Sequence, residues 1–499
     1  MITVLASKLT ADRRRWLALV VVCLAQGMNV LDSTIVNVAL PKIQHDLHFS
    51  QASLAWVIDA YLITFGSFLL MAGRLGDLIG RKRVFLGGIA LFTLSSAVCG
   101  ISQDQTMLIA ARFVQGLGGA VSSSVIVAII VTEFRRPAER ATAMSAFTFV
   151  AVGGGSIGLL AGGAITQSIN WHWIFFINVP IGIITLLLGV ALLDRDEGIG
   201  IGKGVDILGS ILITGALMLI VYAIVKATDF GWGSAHTLGF GGAGVGLVGA
   251  FLVLESRLHN PIMPLRILRA RTLVGSSVIR ALMASGMFAA FFIGALYLEH
   301  VLGYSALRTG LAFLPMTITV GGLSLGVTAR IVRRFGPRRP IAPGLVTMIA
   351  GLLLLSQQGA HASYFPGLFF AFVLLGLGAG TSFMPLLTIA MSEVPPRDAG
   401  LGSGIVNVSM QIGAAIGLAA LASIATEHTR TLVAHGQSAT SALIGGYHLA
   451  FIVGAACIAV GALLAPFALR SRLPAESSER PEAAGRVVEP ESQPATQAA

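Results

Sequence analysis

Apolar stretches of about 20 residues recur along the chain between short polar segments, a length that lets a helix rising 1.5 Å per residue cross a ~30 Å hydrocarbon core. Runs of that length read as helices rather than barrel strands. The pattern places spans at 16–39, 53–73, 84–102, 106–131, 141–166 and 173–193, then at 206–226 and 236–254, then at 273–298, 309–329, 341–358, 365–391, 399–425 and 447–469. The predicted fold is an all-α polytopic membrane protein with 14 transmembrane helices. It divides into a cytoplasmic N-terminus (1–15), a six-helix half (16–193), a linker region with two extra transmembrane helices (194–272), a second six-helix half (273–469) and a C-terminal tail (470–499). The tail is rich in Pro, Glu, Ser and Ala without an apolar period and is expected to be disordered.

Composition agrees with lipid as the solvent. Hydrophobic residues make up 55% and charged residues 11% of the chain, and the mean hydropathy is +0.84. A water-soluble domain of that composition would expose large apolar surface. The 60 glycines suit helices that pack closely through small residues. A formal net charge of +10 could point to nucleic acid, but the positions of the basic residues give it another meaning. Of the 33 Lys and Arg, only Lys42, Lys226, Arg308 and Arg430 fall in outer loops, and Arg112 and Arg280 within spans. The remaining 27 lie in the segments that an even number of spans puts on the side of both termini, which makes the termini cytoplasmic. The basic charge is topological, and no nucleic-acid partner is expected. Cys23, Cys99 and Cys457 lie in apolar runs without metal-ligand or disulfide spacing. No HExxH or GxxxxGK[ST] sequence occurs, so neither metal catalysis, a cofactor nor an ATP motor is expected.

The chain also repeats itself. Gly73-Arg-Leu-Gly-Asp-Leu-Ile-Gly-Arg-Lys-Arg83, after the second span, is echoed 256 residues later by Ala329-Arg-Ile-Val-Arg-Arg-Phe-Gly-Pro-Arg-Arg339, after the tenth. Parallel repeats about an axis normal to the membrane are a transporter architecture, with a cavity between the halves.

Four segments together resemble the major facilitator superfamily, and specifically the fourteen-helix drug:proton antiporters of the EmrB/QacA type. Gly73 to Arg83 is similar to the superfamily's loop signature between helices two and three, with Asp77 at the acidic position. Leu31-Asp-Ser-Thr-Ile-Val-Asn-Val-Ala-Leu-Pro41 looks like the first-helix signature of the fourteen-helix branch, Arg112-Phe-Val-Gln-Gly-Leu-Gly-Gly119 the fourth-helix motif, and Trp171-His-Trp-Ile-Phe-Phe-Ile-Asn-Val-Pro180 the entry to helix six. One element departs: where the antiporter motif of helix five has Gly-Pro, this chain has Gly158-Leu159, while the spacing Gly154, Gly158, Gly162, Gly163 survives. Close packing through those glycines is retained, and the helix distortion of a proline is not.

Charges inside hydrocarbon cost roughly 2.5 to 3.5 kcal/mol each on insertion scales and mark function by default. Asp32, Asp59 and Arg112 stand out. Counting along their spans puts Asp32 about 6 Å, and Asp59 and Arg112 about 9 Å, below the outer boundary. They should form one patch in which burial and a guanidinium act oppositely on the carboxyls, so that one acid exchanges protons with the outside. The alternative is an Asp59–Arg112 ion pair that locks helices together. The resemblance implies that Asp59 serves divalent organic cations, and that the loop with Gly73, Asp77, Gly80, Arg81 and Lys82 latches a cytoplasmic gate. Read as a tight turn, Gly73 marks a helix end and Asp77 faces a neighbouring helix N-terminus or an arginine. Arg280 reads as a snorkelling or structural residue, and Glu299 and His300 as an interfacial pair.

The expected function is proton-coupled export of amphiphilic, cationic drugs or toxic compounds by a monomeric inner-membrane transporter working by alternating access. Alternatives are a dedicated exporter or importer of a metabolite or antibiotic and, from another class, a membrane enzyme or receptor, for which no reactive constellation is visible.

Overall fold

The computed structural model describes residues 10–134, 136–194, 196, 207–258, 261, 265–323, 327–394 and 399–469. Among them, long helices follow the apolar runs: α1 Ala11–Asp46, α2 Trp56–Ile79, α3 Arg81–Gly100, α4 Gln105–Glu133, α5 Pro137–Ser168 and α6 Asn178–Leu192. Then come α7 Ile207–Phe230, α8 Ala235–Arg257, α9 Arg271–Leu296, α10 Ala306–Gly322, α11 Ile341–Leu355, α12 Phe369–Met391, α13 Ala399–Ala434 and α14 Ala439–Ala468. The sequence punctuates their starts. Asp104 accepts the Met107 N–H at 2.9 Å to begin α4, and Ser234 and Ser438 cap α8 and α14 in the same way, each satisfying a backbone donor the first turn leaves free.

Among the described residues, 11 helices are long and apolar enough to cross a membrane. Not counted among the 11 are α5, with 32 residues, α10, with 17, and α11, with 15. The N-terminal residues 1–9 and the tail from 470 lie outside the described residues. The helices that line the outside of the molecule, above all α8, carry exposed Leu238, Val245 and Val253, as a lipid-facing surface requires.

Helices α1 to α6 pack chiefly against one another, as do α9 to α14. The first group is built on α1 against α5 and α6, and α4 against α2 and α3; the second on α9 against α13 and α14, and α12 against α10 and α11. Two seams join the groups, α5 with α10 and α2 with α13, and α7 lies against both α2 and α13. Arg430 ties α13 to α7 through the Thr228 carbonyl and Asp229, and Ser423 Oγ donates to Ile224 O at 3.1 Å.

Glycines set how close these seams are. A Cβ on Gly158 would lie 2.0 Å from Thr34 Oγ1, and one on Gly162 2.7 Å from Ile35 O, so α1 and α5 touch backbone to backbone. Gly154 continues the same face against Val30. Gly163 faces the other way, into α10. Leu159 at the departed proline position is fully buried in an unbroken α5, its carbonyl against Gly310 of α10.

The loop of the first repeat is shorter than the sequence suggests. Gly73 and Gly76 sit inside α2, which runs on to Ile79, and only Gly80 turns the chain, at φ +99°. A continuous helix keeps its i→i−4 bonds to the last turn, so a glycine alone does not end it; the left-handed geometry at Gly80 does.

Candidate functional site: a buried carboxylate network

Asp32 on α1 is fully buried and is held by three side chains from two other helices. Arg112 Nη1 donates to Asp32 Oδ2 at 2.5 Å, while Gln115 Nε2 and Asn178 Nδ2 donate to Asp32 Oδ1 at 2.8 Å and 2.9 Å. Position follows from helical register. Arg112 and Gln115 are three residues apart on α4 and so share a face, which meets Asp32 of α1 and Asn178 at the start of α6. Ser96 of α3 accepts from both Gln115 and Asn178 at 3.0 Å and donates to Phe175 O at 3.0 Å, closing the network.

Arg112 has further partners. Its Nη1 donates to Gln115 Oε1 at 2.7 Å and its Nε to Val57 O at 2.9 Å, and its guanidinium carbon stands 4.5 Å from the centre of the Tyr61 ring. A buried guanidinium needs this full set, because removal of either charge of a buried pair strands the other. The pair Asp32–Arg112 is therefore both satisfied and fixed.

Asp59 is different. It lies in the first turn of α2, two residues from the Val57 carbonyl that Arg112 holds, and is fully buried. Neither of its carboxyl oxygens has a hydrogen-bond partner. The alternative Asp59–Arg112 pair is thus not formed: the guanidinium pairs with Asp32, and Asp59 stands apart from the network.

Of the loop residues, Gly80 makes the turn, and the carboxylate at the N-terminus of α3 is Asp196, which takes the N–H groups of Arg81 and Lys82 at 2.8 Å and 3.2 Å. The side chain of Asp77 lies outside the described residues. Lys82 Nζ donates to Val190 O at 2.8 Å and Leu193 O at 2.6 Å, and Arg81 Nη1 to Thr132 Oγ1 at 2.6 Å, so this loop grips the ends of α4 and α6. Arg280 does not snorkel. It is buried between α9, α12 and α13, with Nη1 on Phe383 O at 3.1 Å and Nη2 on Met410 Sδ at 3.4 Å.

Sequence reasoning missed Gln115, Asn178, Ser96 and Asp196. The first two lie inside the fourth- and sixth-helix motifs, where an amide side chain within an otherwise apolar run is the available signal. Nothing near Ser96 or Asp196 marks them.

Comparison with known proteins matches this arrangement to a transporter family. Residues 22–418 match the Major Facilitator Superfamily. Puromycin resistance protein pur8 of Streptomyces alboniger is 37% identical over 451 residues, covering 89% of this chain and 89% of that one. The uncharacterized MFS-type transporter EfpA of Mycobacterium tuberculosis is 37% identical, over 81% of this chain and 76% of its own, and the multidrug resistance protein Stp of the same organism 32% identical, over 89% and 82%. In fold, the chain is similar to a bacterial homologue of the human lysosomal transporter Spinster crystallised inward-facing and unoccupied, with a TM-score of 0.66 at 16% identity, covering 91% of this chain and 97% of that one. With membrane-length helices, a family match over most of its length and a relative named as an MFS-type transporter, the chain is a transporter rather than an enzyme and belongs to the major facilitator superfamily.

Proposed function

We propose that this protein is a proton-coupled exporter of amphiphilic cations, of the fourteen-helix drug:proton antiporter type. Its working unit is one chain in the inner cell membrane, with both termini cytoplasmic, all fourteen long helices crossing, and two six-helix halves rocking about a central site. The carrying observation is the contrast between two buried acids: Asp32 is satisfied by Arg112, Gln115 and Asn178, and Asp59 has no partner. A buried carboxyl without a donor can pair with a cationic substrate, which makes Asp59 the additional contact for divalent cations, and exchange of the cycle's proton is assigned to the network that joins Asp32 to Arg112. Asp32 positions α1, whose neighbouring residues Val30, Leu31, Thr34 and Ile35 face the glycines of α5, and α5 in turn meets α10. A change at the acids can thereby reach the α5–α10 seam, which lies on the outer side in the orientation drawn from the basic residues. Gly73, Asp77, Gly80, Arg81 and Lys82 form the latch on the opposite side, where Gly80 turns the chain and the Arg81 and Lys82 side chains grip α4 and α6. Relatives named for puromycin resistance, tetracenomycin C resistance and export, and multidrug resistance support small-molecule export.

Accumulation of fluorescent organic cations in cells tests the reading. Cells making the wild-type protein should retain less of both a monovalent and a divalent dye than cells making Asp32→Asn. Cells making Asp59→Asn should retain more of the divalent dye and still export the monovalent one. Equal retention by wild type and Asp32→Asn, with both proteins present in the membrane, would sink it.

A further inference from the structure

The two repeats differ in what surrounds their basic residues. In the first, the turn at Gly80 is followed by Arg81 and Lys82, whose backbone N–H groups Asp196 receives and whose side chains end on Thr132, Val190 and Leu193 of the same chain. In the second, Gly336 makes the equivalent turn at φ +78°, and the helix Thr328–Phe335 before it ends in Arg333 and Arg334. Arg338 and Arg339 follow the turn and are exposed. Among the described residues no carboxylate pairs with any of these four arginines, and α11 begins without a side-chain cap. Arg334 lies over the ring of Phe335, at 5.4 Å.

Beside these charges is a cavity of about 370 Å³ between Thr328–Phe335, α11 and α12. Arg339 stands at its rim with Phe335 and Pro340, and its walls run inward along Ile331, Pro343, Thr347 and Leu377. Gly344 keeps the α11–α12 wall close, since a Cβ there would fall 2.3 Å from Ser382 Oγ. The space is apolar along its length and cationic at one end. Its ligand must match both parts: an acyl chain for the walls and an anionic headgroup for the arginines. On the side of the membrane that the basic residues mark as cytoplasmic, negatively charged phospholipids supply that combination.

We propose that this groove is a seat for one anionic phospholipid of the inner leaflet, its phosphate held by Arg338 and Arg339 and one acyl chain lying between α11 and α12. The first repeat closes its basic turn with the chain's own Asp196; in the second, where no described carboxylate meets the arginines, the lipid phosphate takes that role. The proposal rests on the orientation read from the basic residues and not on proton coupling or on the transported substrate.

The test uses the full-length protein in phosphatidylcholine vesicles carrying a trace of either phosphatidylglycerol or phosphatidylcholine with a photoreactive group on the acyl chain. After illumination, labelled peptides are mapped. Peptides of α11 and α12 should be labelled at least about fivefold more by phosphatidylglycerol, the factor that attraction of a single basic residue to an anionic headgroup would give. Arg338→Gln with Arg339→Gln should abolish the excess and leave the phosphatidylcholine signal. Thr347→Phe, which fills the groove and keeps the charges, should suppress labelling of both walls by either lipid. Unaltered thermal unfolding of the variants keeps these results interpretable. Equal labelling by the two lipids in the wild type, or an excess that survives the double substitution, overturns the proposal. Loss of the excess on adding inorganic phosphate at constant ionic strength would identify a soluble anion instead and overturn it as well.

Discussion

Gly163 of α5 and Leu307 of α10 meet so closely that a Cβ on the glycine would stand 2.6 Å from Leu307 Cα and 2.7 Å from Ala306 O. Beside them Gln167 Oε1 accepts the Leu307 N–H at 3.4 Å. This contact joins the two groups of helices backbone to backbone, where no rotamer change can make room.

Gly163→Val should therefore hold the seam open. Overpacking costs about 1 to 3 kcal/mol, enough to shift a two-state equilibrium by roughly 5- to 150-fold. Spin labels at the exposed positions Ser168 and Arg308 should report a longer distance in the variant, and transport should fall in proportion. An unchanged distance would show that the seam does not restrain the helices.

Gly158→Ala acts on a different contact, since its new methyl collides with Thr34 Oγ1 and the Leu31 carbonyl. It should push α1 off α5 next to Asp32 and lower the thermal unfolding midpoint in detergent. At Gly87, where an added Cβ meets nothing within 4 Å, the same substitution should leave or slightly raise the midpoint.

The Asp32–Arg112 pair predicts non-additivity. Arg112→Gln strands a buried carboxylate and Asp32→Asn a buried guanidinium, each a loss of about 3 to 5 kcal/mol. The double variant strands neither charge, so a double-mutant cycle on unfolding should return a coupling of at least ~1 kcal/mol. Additive losses would mean that the two side chains are not paired in the folded protein.

Much of this was legible in the sequence, for identifiable reasons. Apolar run length located the 11 helices that, among the described residues, are long and apolar enough to cross a membrane, and counting 1.5 Å per residue put Asp32 and Arg112 at one depth, where the structure pairs them. Depth does not fix rotation about a helix axis. Depth alone therefore groups Asp59 with them, although the guanidinium pairs with Asp32 instead, and leaves Gln115, Asn178 and Ser96 unmarked. Turn chemistry is half legible: Gly80 turns the chain, but Gly73 does not, because the helix that contains it continues to Ile79. Asp196 comes from a segment with no periodicity, and only the folded chain brings it to α3. The departed proline was visible, and its consequence is an α5 that continues unbroken past Leu159.

Protons and cations should compete at Asp59. Protonation removes the negative charge a cation would meet, so affinity for a divalent organic cation should fall as pH falls, by at most about tenfold per pH unit for one proton. In Asp59→Asn the affinity should be lower and flat over the same range. Isothermal titration in detergent at several pH values reads both slopes, and equal slopes would remove Asp59 from the cation site.

The central claim is exchange of protons for exported cations. Inside-out vesicles energised by respiration, with a pH-sensitive dye inside, test it directly. Adding an organic cation should release protons from vesicles holding the wild-type protein, with release lost in Asp32→Asn and reduced for divalent cations in Asp59→Asn. Absence of proton movement in the wild type with any cation, from protein that binds one when purified, would contradict the account and leave a dedicated metabolite exporter or importer.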